Sequence, residues 1–456
     1  MSKLRRSAVF LALAALVFGS AVLLRPAGAA YVTPPVTLHA VTPQSAGVSI
    51  GVPFGFGFAA AAADVNNDGY DDVIVASPKA DFGGHVDCGE VTVFRGPSLT
   101  DTILLHQPTP EDNSYFGWSV TAADFNGDGF ADIAVGSPYA AVGGHPAAGR
   151  VAVFFGPSLT TNAVIDNPQP DNNAHFGSSL AVGDMNGDGK ADLLVGAPDA
   201  PVGGMERAGK GFVFVAPSFS TSYALQAPQP EANSSFGRAL AAADVNNDGY
   251  DDVVIGAPDA GADGEAAGLA FVFLSPSFGT VTTLHDPEPE PGAYFGQAVA
   301  GGDFNADGYD DLLVGAYGSY RWPYSGAGRA FIFSAPSLNS VTVLEQPDIV
   351  ADSAYFGYEL TVADVNHDGY ADAVIGAHDA DVTSPPATAG GEAYIFLGPS
   401  FQTVYLFQEP QPEPFAFFSR SIAVGDVNGD GQGDLITGAP GADVEGIVNA
   451  GEAFVF

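Results

Sequence analysis

The sequence predicts an all-β fold: a seven-bladed β-propeller of four-stranded blades, closed by an N-terminal strand that completes the last blade. Three observations predict it. One nonapeptide recurs seven times, with starts 59 to 62 residues apart. Each repeat carries four short runs rich in Val, Phe and Ile, punctuated by Gly and Pro, which read as strands. The last repeat stops after its third run, and a matching run stands before the first repeat. Four strands per repeat of about 60 residues is the pattern of a propeller blade array. No helical stripe interrupts it.

In chain order, residues 1–30 read as a secretory leader. Lys3, Arg5 and Arg6 form a basic start, an apolar run spans residues 8–24, and Ala27-Gly28-Ala29 offers small residues for cleavage after Ala29 or Ala30. An uncleaved anchor is the alternative, because the apolar run is long. No later stretch reaches the ~20 apolar residues of a membrane span. Residues 31–456 read as one array. Val36-Thr37-Leu38-His39 resembles the fourth strands Ile103-Leu104-Leu105-His106 and Thr283-Leu284-His285, so it is the candidate to close the ring. Otherwise residues 31–45 are a frayed tail, which would leave an edge strand open.

Within each repeat, Phe-Gly stands eight residues before the nonapeptide, from Phe56-Gly57 to Phe356-Gly357; the seventh copy has Phe418-Ser419. A short run of small apolar residues leads into the nonapeptide loop. A second strand leaves it, as in Asp192-Leu193-Leu194-Val195, and ends at a corner such as Gly196-Ala197-Pro198. A loop, a third strand such as Ala270-Phe271-Val272-Phe273, a Pro-Ser turn and a fourth strand follow.

The nonapeptide has the form D-x-N-x-D-G-x-x-D, with oxygen side chains at positions 1, 3, 5 and 9. Those residues are Asp64, Asn66, Asp68 and Asp72; Asp124, Asn126, Asp128 and Asp132; Asp184, Asn186, Asp188 and Asp192; and Asp244, Asn246, Asp248 and Asp252. The last three sets are Asp303, Asn305, Asp307 and Asp311; Asp364, Asn366, Asp368 and Asp372; and Asp426, Asn428, Asp430 and Asp434. A hard cation such as Ca²⁺ takes six or more oxygens in a flexible shell, and Gly at position 6 permits the sharp bend. The position-7 carbonyls of Tyr70, Phe130, Lys190, Tyr250, Tyr309, Tyr370 and Gln432 could add another oxygen. The pattern is not an EF-hand, because no Glu stands at position 12. Asx turns without metal explain Asn and Gly, but not three mutually repelling Asp in nine residues. Up to seven Ca²⁺ are expected, ahead of Mg²⁺, which uses fewer protein ligands.

These motifs resemble the FG-GAP repeats of integrin α-subunit β-propellers over nearly all of residues 31–456. The resemblance implies seven blades, with calcium in the hairpin between the first two strands of a blade. In the integrins only some blades carry that loop. It also implies that the opposite face, built from loops between strands 2 and 3 and between strands 4 and 1, meets ligands. Legs, membrane segment and cytoplasmic tail have no counterpart here, so heterodimer assembly and signalling do not carry over. Similar repeats accompany a glycosylphosphatidylinositol-specific phospholipase D, whose catalytic domain is also without counterpart.

On that face the repeats diverge most after the corner. The fifth copy reads Tyr317-Gly318-Ser319-Tyr320-Arg321-Trp322-Pro323-Tyr324. Tyr317, Tyr320, Arg321, Trp322 and Tyr324 are either a binding or sugar-stacking platform or residues packed on neighbouring loops. The Pro-rich turns before Phe-Gly, such as Gln107-Pro108-Thr109-Pro110, read as rigid links. Trp118, just after a Phe-Gly, is expected in the core. Cys88 is an unpaired thiol or an intermolecular link; a single cysteine excludes an intrachain disulfide.

Charge narrows the partners. The 53 Asp+Glu against 14 Lys+Arg give -39, and -43 after loss of the leader, which excludes nucleic acid as partner. Seven Ca²⁺ would bring -43 to -29. No catalytic motif stands out, and His39, His106 and His285 share a repeat position rather than forming a triad. The expected protein is a secreted or cell-surface (or periplasmic) monomer and not an enzyme. It binds an extracellular protein or glycan, and its calcium is mainly structural. An extracellular hydrolase on a propeller scaffold and a purely structural envelope component are the alternatives.

Overall fold

The computed structural model describes residues 35–40, 55–261, 267–347, 352–383 and 386–456. Seven four-stranded antiparallel sheets follow one another along the chain. In the first blade the strands are Ala60–Ala63, Asp72–Ser77, Glu90–Phe94 and Thr102–Leu105. The first strands of all seven blades touch their neighbours in a ring, from the first blade round to the seventh and back. Residues 1–30, where a leader is expected, lie outside the described residues.

Small residues explain the centre. Seven first strands converge on one axis, and most of their side chains are short, with Leu180, Leu240, Leu360 and Ile422 near the strand starts as the larger ones. Ala60–Ala63 is all alanine. A methyl placed on Gly301 would stand 2.4 Å from the Ala243 methyl of the blade before it. The second and third strands carry the β-branched and aromatic residues, and Asp72–Ser77 and Glu90–Phe94 are almost wholly buried. Fourth strands form the rim, with the alternation of a half-exposed edge.

The N-terminal strand does close the ring. Val36–Leu38 pairs antiparallel with the strand Glu452–Val455, Val36 opposite Val455 and Leu38 opposite Ala453, so the seventh blade takes its fourth strand from the other end of the chain. His39 then stands 3.6 Å from Glu452, in the place where His106 meets Glu90 at 2.8 Å. At His39 and His106 the shared histidine position is a rim contact between third and fourth strands.

The Phe-Gly motif is a joint between blades. Each Phe is a fully buried plug, as Phe116 and Phe176 show, and Phe116 meets Phe154 edge to face. The following Gly has a positive φ and presses on the third strand of the preceding blade. A Cβ on Gly237 would lie 2.4 Å from the Lys210 carbonyl oxygen. The seventh copy solves the same crowding differently. Ser419 takes φ 69°, and its hydroxyl donates to the Glu392 carbonyl at 2.7 Å, turning a close approach into a hydrogen bond.

Cys88 is an unpaired thiol, the first of its two readings. It is buried beside the Ala80 and Phe82 carbonyls, in the small-residue place that Ala148 and Ala208 fill in the next blades. Burial pushes its thiol pKa up. It is not placed to link two molecules.

Candidate functional site

The seven nonapeptides all lie in the hairpin between the first and second strands, at one end of the ring. Their local logic repeats. In the first loop Asp64 accepts from the amides of Asn66, Asp68 and Gly69, and Asp68 accepts from Tyr70. Asp72 is buried and ties two segments together. It accepts from Val65 N at 3.1 Å and from Gly96 N, beyond the third strand, at 2.9 Å. Asp132, Asp192, Asp252, Asp311 and Asp372 hold Gly156, Ala216, Ser275, Ala335 and Gly398 in the same way. The position-9 Asp is therefore also a structural anchor, which its sequence spacing did not announce.

The loops are linked to one another. The amide at position 8 donates to the position-1 carbonyl of the preceding blade, as in Ala131 to Asp64, Asp251 to Asp184 and, across the ring seam, Asp71 to Asp426. The seventh loop differs by one residue, with Gly433 donating to Val365. Where position 8 is Asp, its carboxylate adds a second bond: Asp71 accepts from Asp426 N, Asp251 from Asp184 N and Asp310 from Asp244 N.

Among the described residues, no group of three or more carboxylate, His or Cys side chains is gathered as a ready cation cage. The donor set nevertheless fits a hard cation. Asn66 Oδ1 and Asn246 Oδ1 are buried oxygens with no hydrogen-bond donor, a state that costs about 1–3 kcal/mol each unless another partner meets them. Burial pushes Asp72 up to about 6, with the Asp68 and Asp64 charges adding to it against the pull of backbone donors. Asp252 rises to about 7 for the same reason. A bound cation would meet the orphaned oxygens and neutralise the crowded carboxylates.

The opposite end carries the loops between second and third strands, and those of the first, second, third, fifth and seventh blades fold into tight hairpins. Phe82 bridges His85, Val142 bridges His145 and Val202 bridges Met205, each across Gly-Gly. In the fifth blade Arg321 bridges Tyr324 across Trp322-Pro323, so an indole occupies the tip where the first three blades have glycine. The expected platform divides here. Trp322 is 82% exposed and Tyr320 is exposed beside it. Arg321 is instead a strut, donating to the Gln346 carbonyl and pairing with Glu345 at 3.1 Å. Tyr317 turns inward, stacked on Tyr294 with centroids 4.9 Å apart. Tyr324 is half-buried.

The Pro-rich turns hold these hairpins. Glu111, Glu231, Glu290 and Glu413 each accept from an amide of the next hairpin, at Ala141, Gly261, Tyr320 and Asp443. They are the rigid links their sequence implied.

At the hub of this face is a cavity of about 270 Å³ lined from all seven blades. The residue after Phe-Gly lines it in five blades, as Phe58, Trp118, Ser178, Arg238 and Gln297, and Arg420 takes that place in the seventh; the sixth blade lines it with Glu359, one residue further on. Trp118 is thus not a core residue. It is half-buried at the channel mouth, 5.1 Å from Phe58 between ring centroids. Arg420 lies over Phe58 at 4.7 Å and over Tyr358 at 5.2 Å, and donates to Glu359 at 2.8 Å. Burial pushes Glu359 up, and Arg420 and Arg238 pull against it.

A third-blade cavity of about 750 Å³ holds His175 2.6 Å from Asp199, which Arg207 also grips at 2.6 Å. These partners lower the Asp199 pKa despite its burial. Among the described residues no Ser or Cys lines this cavity.

Comparison with known proteins places the chain in a class. The FG-GAP repeat matches residues 56–94, 116–154, 176–215, 236–273, 295–333, 356–396 and 418–456, more than half of the sequence. The chain belongs to the FG-GAP repeat family, and it resembles the integrin α-subunit propeller. It is 29% identical to integrin alpha-8 of Gallus gallus over 326 residues, 64% of this chain and 29% of that one. It is 31% identical to integrin alpha-5 of Xenopus laevis over 253 residues, 50% and 22% of the two chains. It is 36% identical to phosphatidylinositol-glycan-specific phospholipase D of Homo sapiens over 177 residues, 35% and 20% of the two. The matched region spans less than a third of each relative. Among the described residues no helix is long and apolar enough to cross a membrane.

Proposed function

We propose that the chain is a secreted adhesion or ligand-binding module that holds calcium in its seven Asp loops and meets an extracellular protein or glycan with its hairpin face. One observation carries the binding reading. Trp322 is 82% exposed on a hairpin tip braced by Arg321 and by Tyr320 N on Glu290 at 2.9 Å. A large aromatic held rigidly in water loses little entropy on binding and suits an anchor role. The family resemblance to integrin α-subunits supports the same face.

Calcium in this reading is mainly structural. Asp, Asn and the position-7 carbonyls supply its oxygens, and the cation supplies charge neutralisation at the blade hairpins. Secretion rests on residues 1–30, and N-terminal sequencing of exported protein is expected to begin at Ala30 or Tyr31.

The test of binding is a screen of calcium-loaded residues 31–456 against glycan and cell-surface protein arrays, with Trp322→Ala beside it. A saturable hit lost in the variant is the expected result. Silence on both arrays would defeat the binding reading and favour a structural envelope component. The phospholipase D relative keeps a hydrolase as the rival; turnover on a panel of glycosides and esters, lost on mutating a channel acid such as Glu359, would decide for it.

A further inference from the structure

The channel mouth is more specific than a hydrophobic hub. Its charged lining residues are Arg238, Arg420 and Glu359, which gives a net positive hub in a chain of net charge -39. Arg420 is satisfied, paired with Glu359 at 2.8 Å and lying over two aromatic rings. Arg238 is not. Its guanidinium donates to Tyr358 Oη at 3.4 Å, and no carboxylate of the described residues lies within 4.0 Å of it. The acids of the adjoining cavity are engaged elsewhere. Asp259 accepts from Ser235 Oγ at 2.7 Å, and Asp199 holds His175 and Arg207. A guanidinium presents five donors in a fork that matches a carboxylate.

Beside Arg238 the third blade contributes its smallest mouth residue, Ser178, whose hydroxyl is turned back onto the His175 carbonyl at 2.7 Å. On the far side of Ser178 stands Trp118, half-buried and backed by Tyr139 at 5.5 Å. The mouth thus offers a gap with an indole on one side and unpaired guanidinium donors on the other. About 270 Å³ is slightly below the range of drug-sized ligand sites, so it suits one sugar ring or one side chain.

We propose that the channel mouth binds a carboxylated sugar residue, its carboxylate on Arg238 and its ring against Trp118. An indole face suits a pyranose ring better than a flexible acidic side chain, and the fork takes the acid. The site is separate from Trp322 and stands or falls without it.

The chain has two tryptophans, so Trp322→Phe leaves Trp118 as the single indole reporter. Calcium-loaded Trp322→Phe protein is titrated with galacturonate, galactose and N-acetylglutamate amide while Trp118 fluorescence is followed. Galacturonate is expected to give a saturable change and galactose none. Arg238→Gln is expected to raise the half-saturating galacturonate concentration about tenfold or more, as loss of a charged hydrogen-bonded pair would. Gln297→Glu, which adds a carboxylate to the mouth and keeps Arg238, is expected to weaken binding likewise; it serves if Arg238→Gln fails to fold. No saturable change with galacturonate overturns the proposal. So does an equal response to galactose, a response to the glutamate amide as strong as to the sugar, or unchanged binding in the folded variants.

Discussion

The Ser421 hydroxyl donates to the Gly57 carbonyl at 2.9 Å and so joins residues 364 positions apart. It is the seam between the last blade and the first. The same bond recurs inside the array, from Ser119 to Gly177 and from Ser179 to Gly237, each at 2.8 Å. Closure is thus made with an ordinary internal joint. Ser421→Ala strands a buried carbonyl and is expected to cost about 1–2 kcal/mol. Ser179→Ala should cost about the same. A denaturation midpoint unmoved by Ser421→Ala would show that the seam does not limit stability.

Leu38 is the apolar fastener of that seam. It is 5% exposed and packs in one cluster with Phe56, Phe94 and Val455. Leu38→Ala is expected to destabilise by about 2–5 kcal/mol, while Thr37→Ala on the exposed side of the same strand stays within about 0.5 kcal/mol. Equal effects from the two in urea melts would mean that the closing strand is held by backbone pairing alone.

Calcium removal should lower the melting temperature reversibly. Each filled site contributes about 2.7 kcal/mol at a free ion concentration one hundred times its Kd. Asp68→Asn, at an exposed loop position, is expected to remove one site from a calorimetric count with little change in the metal-free melt. A melt indifferent to chelator would remove the metal from the account.

Stability should also fall with rising pH in one identifiable place. Glu409 is 4% exposed, and burial pushes it up to about 8, with Glu452 and Glu413 adding. Glu452 rises to about 7 by burial and the Glu413 charge. His39, beside Glu452 but half exposed, offsets little of this. An unfolded glutamate titrates near 4.3, roughly. The folded chain therefore keeps protons that the unfolded chain releases. The contribution of these groups is complete below about pH 4 and is lost as pH climbs through 7 to 8. Glu409→Gln should flatten that slope, read as the difference between wild-type and variant melting temperatures from pH 5 to 8. Parallel curves would show that Glu409 does not titrate there.

Much of this was legible in the sequence because each blade repeats one grammar. Phe-Gly, the Asp loop and the Gly-Ala-Pro corner are local signals whose spacing shows blade number and strand order, and the likeness of Val36–Leu38 to the other fourth strands marks the closing strand. What stayed hidden depends on contacts between blades. Trp118 reads as core because its motif neighbour Phe116 is core, yet the turn through Gly117, at φ 93°, lies between them and Trp118 lines the channel mouth instead. Arg321 looks like a free cation in sequence, but Glu345 and the Gln346 carbonyl come from just beyond the blade's fourth strand, Ser340–Leu344. The second bond made by Asp71, Asp251 and Asp310 had a visible trace, since only those three loops carry Asp at position 8.

The chain of position-8 amides has a mechanical consequence. A linear repeat array loosens from its terminal unit, but a hoop has no terminal unit. Opening must begin by parting two blades. Joints reinforced by Asp71, Asp251 and Asp310 carry two links at this level, and those at Ala131, Ala191, Ala371 and Gly433 carry the amide bond alone. Rupture is therefore expected first at the joints between the first and second, second and third, fifth and sixth, or sixth and seventh blades. Limited proteolysis near the melting temperature would map it, and first cuts at the Asp251 or Asp310 joint would contradict this order.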